Sequence, residues 1–149
     1  MDHTNTPILT ESLTDLLANT YRLMFKSQAF HWNATGPLFA PLHLATERQY
    51  TEMFAAIDEM AERVRALQQA APSSLDEILM RSTVRDRLDT PDAQEMVREL
   101  VADHAALAQQ AEALAQAASA QGDSATADLA VRRRIIHDKE AWLLRTMLG

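Results

Sequence analysis

The sequence contains no cysteine, which excludes disulfide bonds, thiolate metal sites and cysteine nucleophiles. It has only three glycines among 149 residues, and no stretch shows the alternation of apolar and polar residues that predicts β-strands. Apolar residues instead recur every three or four positions among abundant Ala, Leu, Glu, Gln and Arg, a pattern typical of amphipathic helices. We therefore expect a single all-α domain over residues 1–149.

Positive charge is also scarce, because 14 Lys and Arg stand against 21 Asp and Glu, giving a net charge of −7. Nonspecific DNA binding needs Lys and Arg clusters that displace counterions from phosphate, so direct DNA binding is not expected. No uninterrupted apolar run approaches membrane-spanning length, and residues 1–21 lack the Lys or Arg of a secretory signal. These absences favour a cytoplasmic protein that does not associate with membranes.

Proline and glycine mark the bounds of the first two predicted helices. Thr6-Pro7 is typical of an N-cap with proline at the first helical position, and it ends a short polar segment, residues 1–6, that has no basic tail. Gly36-Pro37 should end this helix, since proline cannot continue it. A second long helix is predicted from about Pro41 to Leu67. Its predicted core seam consists of Tyr50, Met53, Ile57, Met60, Val64 and Leu67.

Three further helices are predicted downstream. Ser74 and Glu77 have the spacing of a capping box and should begin a short helix. Thr90-Pro91 should begin the third long helix, and Gly122-Asp123 should separate it from the fourth. The fourth is predicted to carry the apolar residues Leu129, Ile135, Ile136, Trp142, Leu143 and Met147. Four long helices with one short helix between the second and third predict a four-helix bundle.

Four candidate metal ligands lie on the second predicted helix. At about 100° per residue, His43, Glu47, Asp58 and Glu62 fall at roughly 0°, 40°, 60° and 100°, so they share one face. This face lies about 120° from the predicted core seam. The four side chains should therefore point away from the core of their own subunit.

Their separation along the helix predicts a site shared between two subunits. His43 and Asp58 are about 22 Å apart along the axis, whereas a metal ion holds its ligands at about 2 Å. Packing the helix antiparallel against its two-fold copy would bring His43 and Glu47 of one chain to Asp58 and Glu62 of the other. The spacing thus predicts a dimer with two equivalent metal sites.

Phe30-His31-Trp32-Asn33 and the residues that follow to Pro37, together with these ligands, resemble the iron-binding core of the Dps family, the miniferritins. The similarity extends to Ala141-Trp142-Leu143-Leu144-Arg145. It implies a ferritin-like bundle with a short cross-helix and a shell of twelve subunits. It also implies an iron site at the dimer interface, formed by His31, His43 and Glu47 of one subunit and Asp58 and Glu62 of its partner. Other members have Asp where this chain has Glu47.

The resemblance implies a ferroxidase that holds two Fe(II) ions per site, passes their electrons together to hydrogen peroxide, and stores the ferric oxide inside the shell. Imidazole and carboxylate ligands suit iron in both redox states, although zinc and manganese suit them as well. By the same resemblance, Trp32 lies near the metals and absorbs stray oxidising equivalents. Its alternative role is that of a large aromatic side chain buried at an interface.

Other residues have structural and functional interpretations side by side. The segment containing Asp123 and Asp128 resembles the family's acidic pore at the three-fold axis, but Asp123 is equally suited to cap the fourth helix. The basic run Arg132-Arg133-Arg134 should form a face of salt bridges. We expect His104 and His137 to be core or interface residues. Asp58 and Glu62 alone would read as a solvated face beside an ion pair between Glu59 and Arg63.

Three functional hypotheses follow from these observations. The first is a dodecameric ferroxidase that consumes peroxide and stores iron. The second is a nucleoid protein that binds and compacts DNA with little ferroxidase turnover, which the net charge disfavours. The third is a helical assembly whose metals are purely structural, and it predicts no peroxide-dependent oxidation of Fe(II).

Overall fold

A computed structural model of the chain describes residues 6–149 and contains five α-helices and a terminal 3₁₀ turn. The helices are α1 (Thr6–Asn33), α2 (Phe39–Ala66), α3 (Leu75–Arg81), α4 (Ala93–Ala120) and α5 (Ser124–Arg145). No strand is present in this part of the chain, which confirms the all-α prediction and the short helix between the second and third long ones. Residues 1–5 of the predicted polar segment lie outside the described residues.

The four long helices form two antiparallel pairs around one core. α1 packs along α2, α4 packs along α5, and α1 also contacts α4, while α3 lies against α1. The largest fully buried side chains include Leu13, Leu16, Leu23, Leu42, Met53, Met60, Met96, Leu100, Leu107 and Leu144. None of the helices described is both long and apolar enough to cross a membrane.

Side-chain caps fix where the later helices begin. The Ser74 hydroxyl accepts a hydrogen bond from the Glu77 amide at 3.1 Å, which confirms the predicted start of α3. The prediction that Thr90-Pro91 begins the third long helix is wrong. α4 begins at Ala93, because the Asp92 carboxylate caps it by accepting from the Glu95 amide at 2.8 Å.

A tight turn joins α1 to α2 and sets the position of the candidate site. Gly36 has φ +81°, a conformation that glycine adopts without a steric cost, and its carbonyl accepts from the Phe39 amide at 3.0 Å. α2 consequently begins at Phe39, two residues before the predicted Pro41, which is accommodated in the first turn where its missing N–H leaves no bond unmade. The turn places the end of α1 beside the start of α2.

The core face of α2 differs from the predicted seam. Tyr50, Ile57 and Leu67 are only partly buried. The buried residues are Leu42, Ala45, Thr46, Gln49, Met53, Ala56, Met60 and Val64. The centre of this face lies about 150° from the mean direction of the four candidate ligands on α2, compared with the roughly 120° predicted, so these ligands lie almost opposite the core.

The prediction for the apolar residues of α5 is partly wrong. Ile135 and Trp142 are exposed, whereas Arg133, His137 and Glu140 are buried. These polar side chains occupy the core because the facing helices supply hydrogen-bonding and charged partners for them, a condition that makes burial tolerable.

Candidate metal centre

Two histidines at the junction of α1 and α2 bind each other's backbone. The His31 Nδ1–H donates to the His43 carbonyl oxygen at 2.8 Å, and the His43 Nδ1–H donates to the His31 carbonyl oxygen at 2.9 Å. A carbonyl can only accept, so each Nδ1 carries a proton, and the tautomer that can bind a metal ion has its lone pair on Nε2. The two Nε2 atoms are therefore the nitrogens available to a metal ion.

These bonds also explain why both rings are well placed. His31 lies in the last turn of α1, where carbonyl groups have no partner within the helix, and the His43 side chain supplies one. His31 is buried, with 8% of its surface exposed, while His43 is half-buried. These two candidate ligands are thus held in place by hydrogen bonds of the fold.

Aromatic rings extend this pair in both directions. The imidazoles of His31 and His43 are stacked, with centroids 3.6 Å apart and planes 16° from parallel. Phe39 contacts His43 with centroids 4.9 Å apart, and Tyr50 contacts His31 nearly perpendicularly at 5.2 Å. We call these four rings, from Phe39 through the two imidazoles to Tyr50, the aromatic column.

The three candidate carboxylates lie on the outer face of α2. Glu47, Asp58 and Glu62 are exposed, and within residues 6–149 none of them makes a side-chain hydrogen bond or ion pair. The alternative pairing of Glu59 with Arg63 is wrong, since Glu59 pairs with Arg132 and Arg63 pairs with Asp123. Carboxylates without a cationic neighbour remain free to bind a metal ion.

A single subunit does not bring these residues together. Among the described residues, no three His, Asp or Glu side chains are grouped closely enough to hold a metal ion. α2 is continuous from Phe39 to Ala66, so His43 and Asp58 remain about 22 Å apart along its axis. The geometry therefore requires a second chain if all five candidates are to act at one site.

The spacing of the ligands on α2 has an internal symmetry that suits such a partner. The pair His43 and Glu62 and the pair Glu47 and Asp58 share the same midpoint, between residues 52 and 53. An antiparallel copy crossing at that point aligns both pairs at once. Phe54, which is 72% exposed, lies beside this midpoint on the ligand face.

Trp32 follows His31 in sequence but projects away from the core of its own chain. It is 60% exposed and contacts Phe25 edge to face, with ring centroids 6.4 Å apart. Both rings are accessible in the isolated subunit. The nearness of the Trp32 ring to bound metal ions and its redox role stay predictions.

The two candidate pore residues differ in their surroundings. Asp123 is buried and caps α5, accepting from the Thr126 amide at 3.0 Å, while Arg63 pairs with it at 2.8 Å. The predicted capping role is therefore confirmed. Asp128 is exposed and pairs with Arg132 at 3.2 Å. The pore role of both residues stays a prediction.

A buried polar cluster in the centre of the bundle was not predicted from the sequence. His104 and His137 are fully buried, as predicted, but they join each other through Nδ1 atoms 2.9 Å apart. Arg133 donates to His137 Nε2 at 3.2 Å and pairs with Glu52. Burial lowers the pKa of His104 to about 4 and also lowers that of His137.

A second part of the cluster lies around Glu140. Arg48 donates twice to its carboxylate, at 3.1 and 2.8 Å, and Gln49 donates at 2.9 Å. Burial opposes ionisation of Glu140, but the bonds from Arg48 and Gln49 outweigh it and keep its pKa below the usual range. The only sequence signal for this cluster is a polar residue every three or four positions on α5.

The predicted salt-bridging face is confirmed. Arg132 pairs with Glu59, Arg133 with Glu52, and Arg134 with Glu112. Each consecutive arginine points in a different direction and meets a carboxylate from α2 or α4. The run therefore provides no free basic cluster on the surface described.

Comparison with known proteins gives consistent matches over almost the whole chain. A family model described as a ferritin-like domain matches residues 10–149. A DNA protection during starvation protein from Brevibacillus brevis is 32% identical over 132 residues, covering 89% of both chains. A crystal structure of a Dps protein from Bacillus brevis has a TM-score of 0.94 at 30% identity and covers 100% of both chains.

A further solved structure is that of the DPS protein from Vibrio cholerae O1, which is described as a member of a broad superfamily of ferritin-like diiron-carboxylate proteins. It has a TM-score of 0.93 at 28% identity, and the match covers 100% of this chain and 94% of that one.

Proposed function

The chain belongs to the Dps family of ferritin-like proteins, and we propose that it is a miniferritin ferroxidase. Its substrates are Fe(II) and, as the preferred oxidant, hydrogen peroxide, and it stores the ferric product inside a protein shell. The observation that supports this most directly is the pair of imidazoles whose Nε2 lone pairs are left free by reciprocal bonds to the backbone. Removing iron and peroxide together protects the cell from oxidative damage.

The donor set fits iron. Two neutral imidazoles and three carboxylates bind Fe(II) and Fe(III), and they leave coordination positions open for an oxidant. In the proposed site His31, His43 and Glu47 come from one subunit, and Asp58 and Glu62 come from its two-fold partner. Zinc or manganese could occupy the same ligands, but zinc has no redox chemistry and so could not supply electrons to peroxide.

The stacking of the imidazoles favours two ions over one. A nitrogen lone pair lies in the plane of its ring, and the two planes are nearly parallel with centroids 3.6 Å apart. One ion placed midway would lie up to about 1.8 Å out of each plane, which is most of a metal–nitrogen bond of about 2.1 Å. Each ring is therefore better suited to hold its own ion than to share one.

Two ions match the electron count of peroxide reduction. Two Fe(II) ions each release one electron, and these electrons with two protons cleave the O–O bond of hydrogen peroxide to give two waters and two Fe(III). Paired transfer releases no hydroxyl radical. Trp32, which follows His31 in the sequence, would donate an electron when only one Fe(II) is present, and this would limit damage elsewhere in the protein.

We also propose that the dimer belongs to a twelve-subunit shell. An acidic chain assembled twelvefold gives a strongly negative particle, which attracts cations. Asp128, and less directly Asp123, would line the entry route at a three-fold axis. The alternative, a protein that mainly binds and compacts DNA, gains no support from the arginines of α5, since all three are paired with carboxylates.

Complementation between two inactive variants tests the shared site. Stopped-flow oxidation of Fe(II) by peroxide is measured for wild type, His43→Ala, Asp58→Ala, and the two variants refolded together. Each variant alone should be slow. Random pairing makes half of the dimers mixed, and each mixed dimer contains one intact site and one doubly defective site, so the mixture should recover about one quarter of the wild-type rate.

Asp76→Ala provides a matched control, because Asp76 is exposed on α3, away from the ligand face of α2. This variant should oxidise iron at the wild-type rate. A mixture no faster than its components contradicts the shared site. A wild type no faster than buffer contradicts the ferroxidase proposal and favours purely structural metals.

A further inference from the structure

The aromatic column raises the question of what keeps its two imidazoles parallel. Each ring is anchored at Nδ1 alone: the His43 Nδ1–H donates to the His31 carbonyl oxygen, and the His31 Nδ1–H donates to the His43 carbonyl oxygen and lies 3.4 Å from the Thr46 hydroxyl oxygen. One such bond fixes the position of that nitrogen but leaves the ring some freedom to turn, because the second side-chain torsion of histidine has a broad energy minimum. The hydrogen bonds alone therefore do not determine the angle between the two ring planes.

The outer rings of the column supply the missing restraint. Phe39 meets His43 at 4.9 Å and Tyr50 meets His31 at 5.2 Å, so the stacked pair has an aromatic neighbour at each end. Tyr50 is half-buried on α2, and within the described residues its hydroxyl makes no hydrogen bond. The contact it makes with the site is thus through its ring.

We propose that Phe39 and Tyr50 are positioning residues that hold His31 and His43 in a parallel stack, so that the centre takes two metal ions instead of one. This inference rests on the proposed function, since it concerns the same ligands. Neither residue touches the ions. Their role is to prevent the two Nε2 lone pairs from converging on a single ion.

Removing one end of the column should change how metal binds. If either ring can tilt, the two planes open and both nitrogens can reach one ion, which then chelates the pair. The second ion loses its imidazole and keeps only carboxylate ligands. We expect the second binding step to weaken by about tenfold or more, the range found when groups that orient metal ligands are removed.

Anaerobic titration with Co(II) tests this directly. The stoichiometry is measured by calorimetry, and the visible absorption of Co(II) reports its coordination. The variants are Tyr50→Leu and Phe39→Leu, which remove a ring, and Tyr50→Phe, which keeps the ring and removes the hydroxyl. Tyr21→Leu is the matched control, because Tyr21 is also half-buried but lies on α1 outside the column.

Wild type, Tyr50→Phe and Tyr21→Leu should each bind two Co(II) per subunit with similar spectra. Tyr50→Leu and Phe39→Leu should bind one Co(II) tightly and a second at least about tenfold more weakly, with a changed absorption spectrum. A variant that had only lost stability would not change stoichiometry in this way. Circular dichroism and size-exclusion chromatography establish that each variant is folded and assembled.

Two results would overturn the inference. One is that both leucine variants bind two ions with wild-type affinity, and the other is that Tyr50→Phe behaves like Tyr50→Leu, which would make the phenol the active group. If Tyr50→Leu does not fold, Phe39→Leu decides the question, since Phe39 is largely exposed. Wild type that binds one Co(II) per subunit but still oxidises iron overturns the inference and leaves the ferroxidase proposal standing.

Discussion

The buried pair of His104 and His137 should make the stability of the bundle depend on pH between about 7 and 5. Burial lowers the pKa of His104 from 6.5 to about 4, and it lowers the pKa of His137 in the same direction. Protonation is further opposed by Arg133, which donates to His137 and so directs the His137 proton toward His104 Nδ1. The Glu140 carboxylate opposes this trend for His104 but does not outweigh burial.

The direction and size of the effect follow from linkage. At pH 7.5, well above the unfolded pKa of about 6.5, these histidines are mostly neutral in both the folded and the unfolded chain, so the pair contributes little pH dependence there. As the pH falls below 6.5, the histidines are protonated in the unfolded chain but stay neutral in the folded one. The free energy of unfolding therefore decreases until the pH reaches the folded pKa. At pH 5, with an unfolded pKa near 6.5 and a folded value of about 4, His104 alone costs about 2 kcal/mol.

The assay is urea-induced unfolding at pH 7.5 and pH 5, at a fixed subunit concentration because assembly also stabilises the fold. The comparison is between wild type and the double variant His104→Gln/His137→Gln, whose amides do not titrate. pH 5 lies above the ordinary pKa of Asp and Glu, so paired carboxylates contribute little. The other histidines are the same in both proteins, so the difference isolates the buried pair.

Wild type should lose at least about 2 kcal/mol more stability than the double variant between the two pH values. The absolute stability of the variant does not affect this comparison, because only the change with pH is used. If the double variant loses as much stability as wild type, the pH dependence arises elsewhere and the assignment to His104 and His137 is refuted.

Three further predictions concern the interface, a cap and a turn. Phe54→Asp should prevent the two-fold contact, as measured by native mass spectrometry, and should abolish iron oxidation without changing helix content. Leu88→Asp, at an exposed residue between α3 and α4, is the control and should leave assembly intact. If the Phe54→Asp variant still assembles, the proposed crossing point is excluded. Asp123→Ala should lower the free energy of unfolding by about 2 kcal/mol, since it removes the cap of α5 and leaves Arg63 without its partner. Asp123→Asn should lower this free energy by less, because its amide oxygen still caps the helix. Equal losses in the two variants would argue against the capping role. Gly36→Ala should lower the stability measured by thermal unfolding by roughly 1 kcal/mol. The cost comes from the φ of +81° alone, because a Cβ at this position meets no neighbouring atom. A variant as stable as wild type would contradict this reasoning.

The start of a helix was predictable from the sequence where only one candidate N-cap residue was present. Ser74 and Glu77 located the start of α3 correctly, because the cap depends only on residues three apart. Thr90-Pro91 gave the same kind of signal for α4, but the helix is capped by the carboxylate of Asp92, two residues after Thr90. Two adjacent candidate caps cannot be ranked without knowing where the helix packs.

Burial was harder to predict, since it depends on partners distant in sequence. Tyr50 has the spacing of a core residue, yet its ring contacts His31, a residue on another helix. Arg133 looks like a surface residue in sequence, and it is buried because Glu52 faces it from α2. The burial of His137 was expected, but its hydrogen bond with His104 on α4 was not. A helical pattern gives the direction of a side chain around the helix axis, but it does not show which residue of another helix faces that side chain.

The candidate ligands on α2 were predictable as a group because all four lie on one helix, where spacing alone sets their directions. The reciprocal bonds of His31 and His43 were not, since they depend on the Gly36 turn that folds α1 back against α2. That contact is long-range in character although only 12 residues separate the histidines.

The exchange of hydrogen bonds between His31 and His43 makes the ligands part of the scaffold whether or not iron is bound. In a zinc finger the ion itself creates the fold, and removing the ion unfolds the chain. In the function proposed for this chain, the centre would pass its iron to a growing mineral and would have to keep its structure each time it empties. Because each imidazole is hydrogen-bonded to the other residue's main chain, the proposed centre should keep its shape when it is empty, so that a new pair of ions would bind without a reorganisation of the protein.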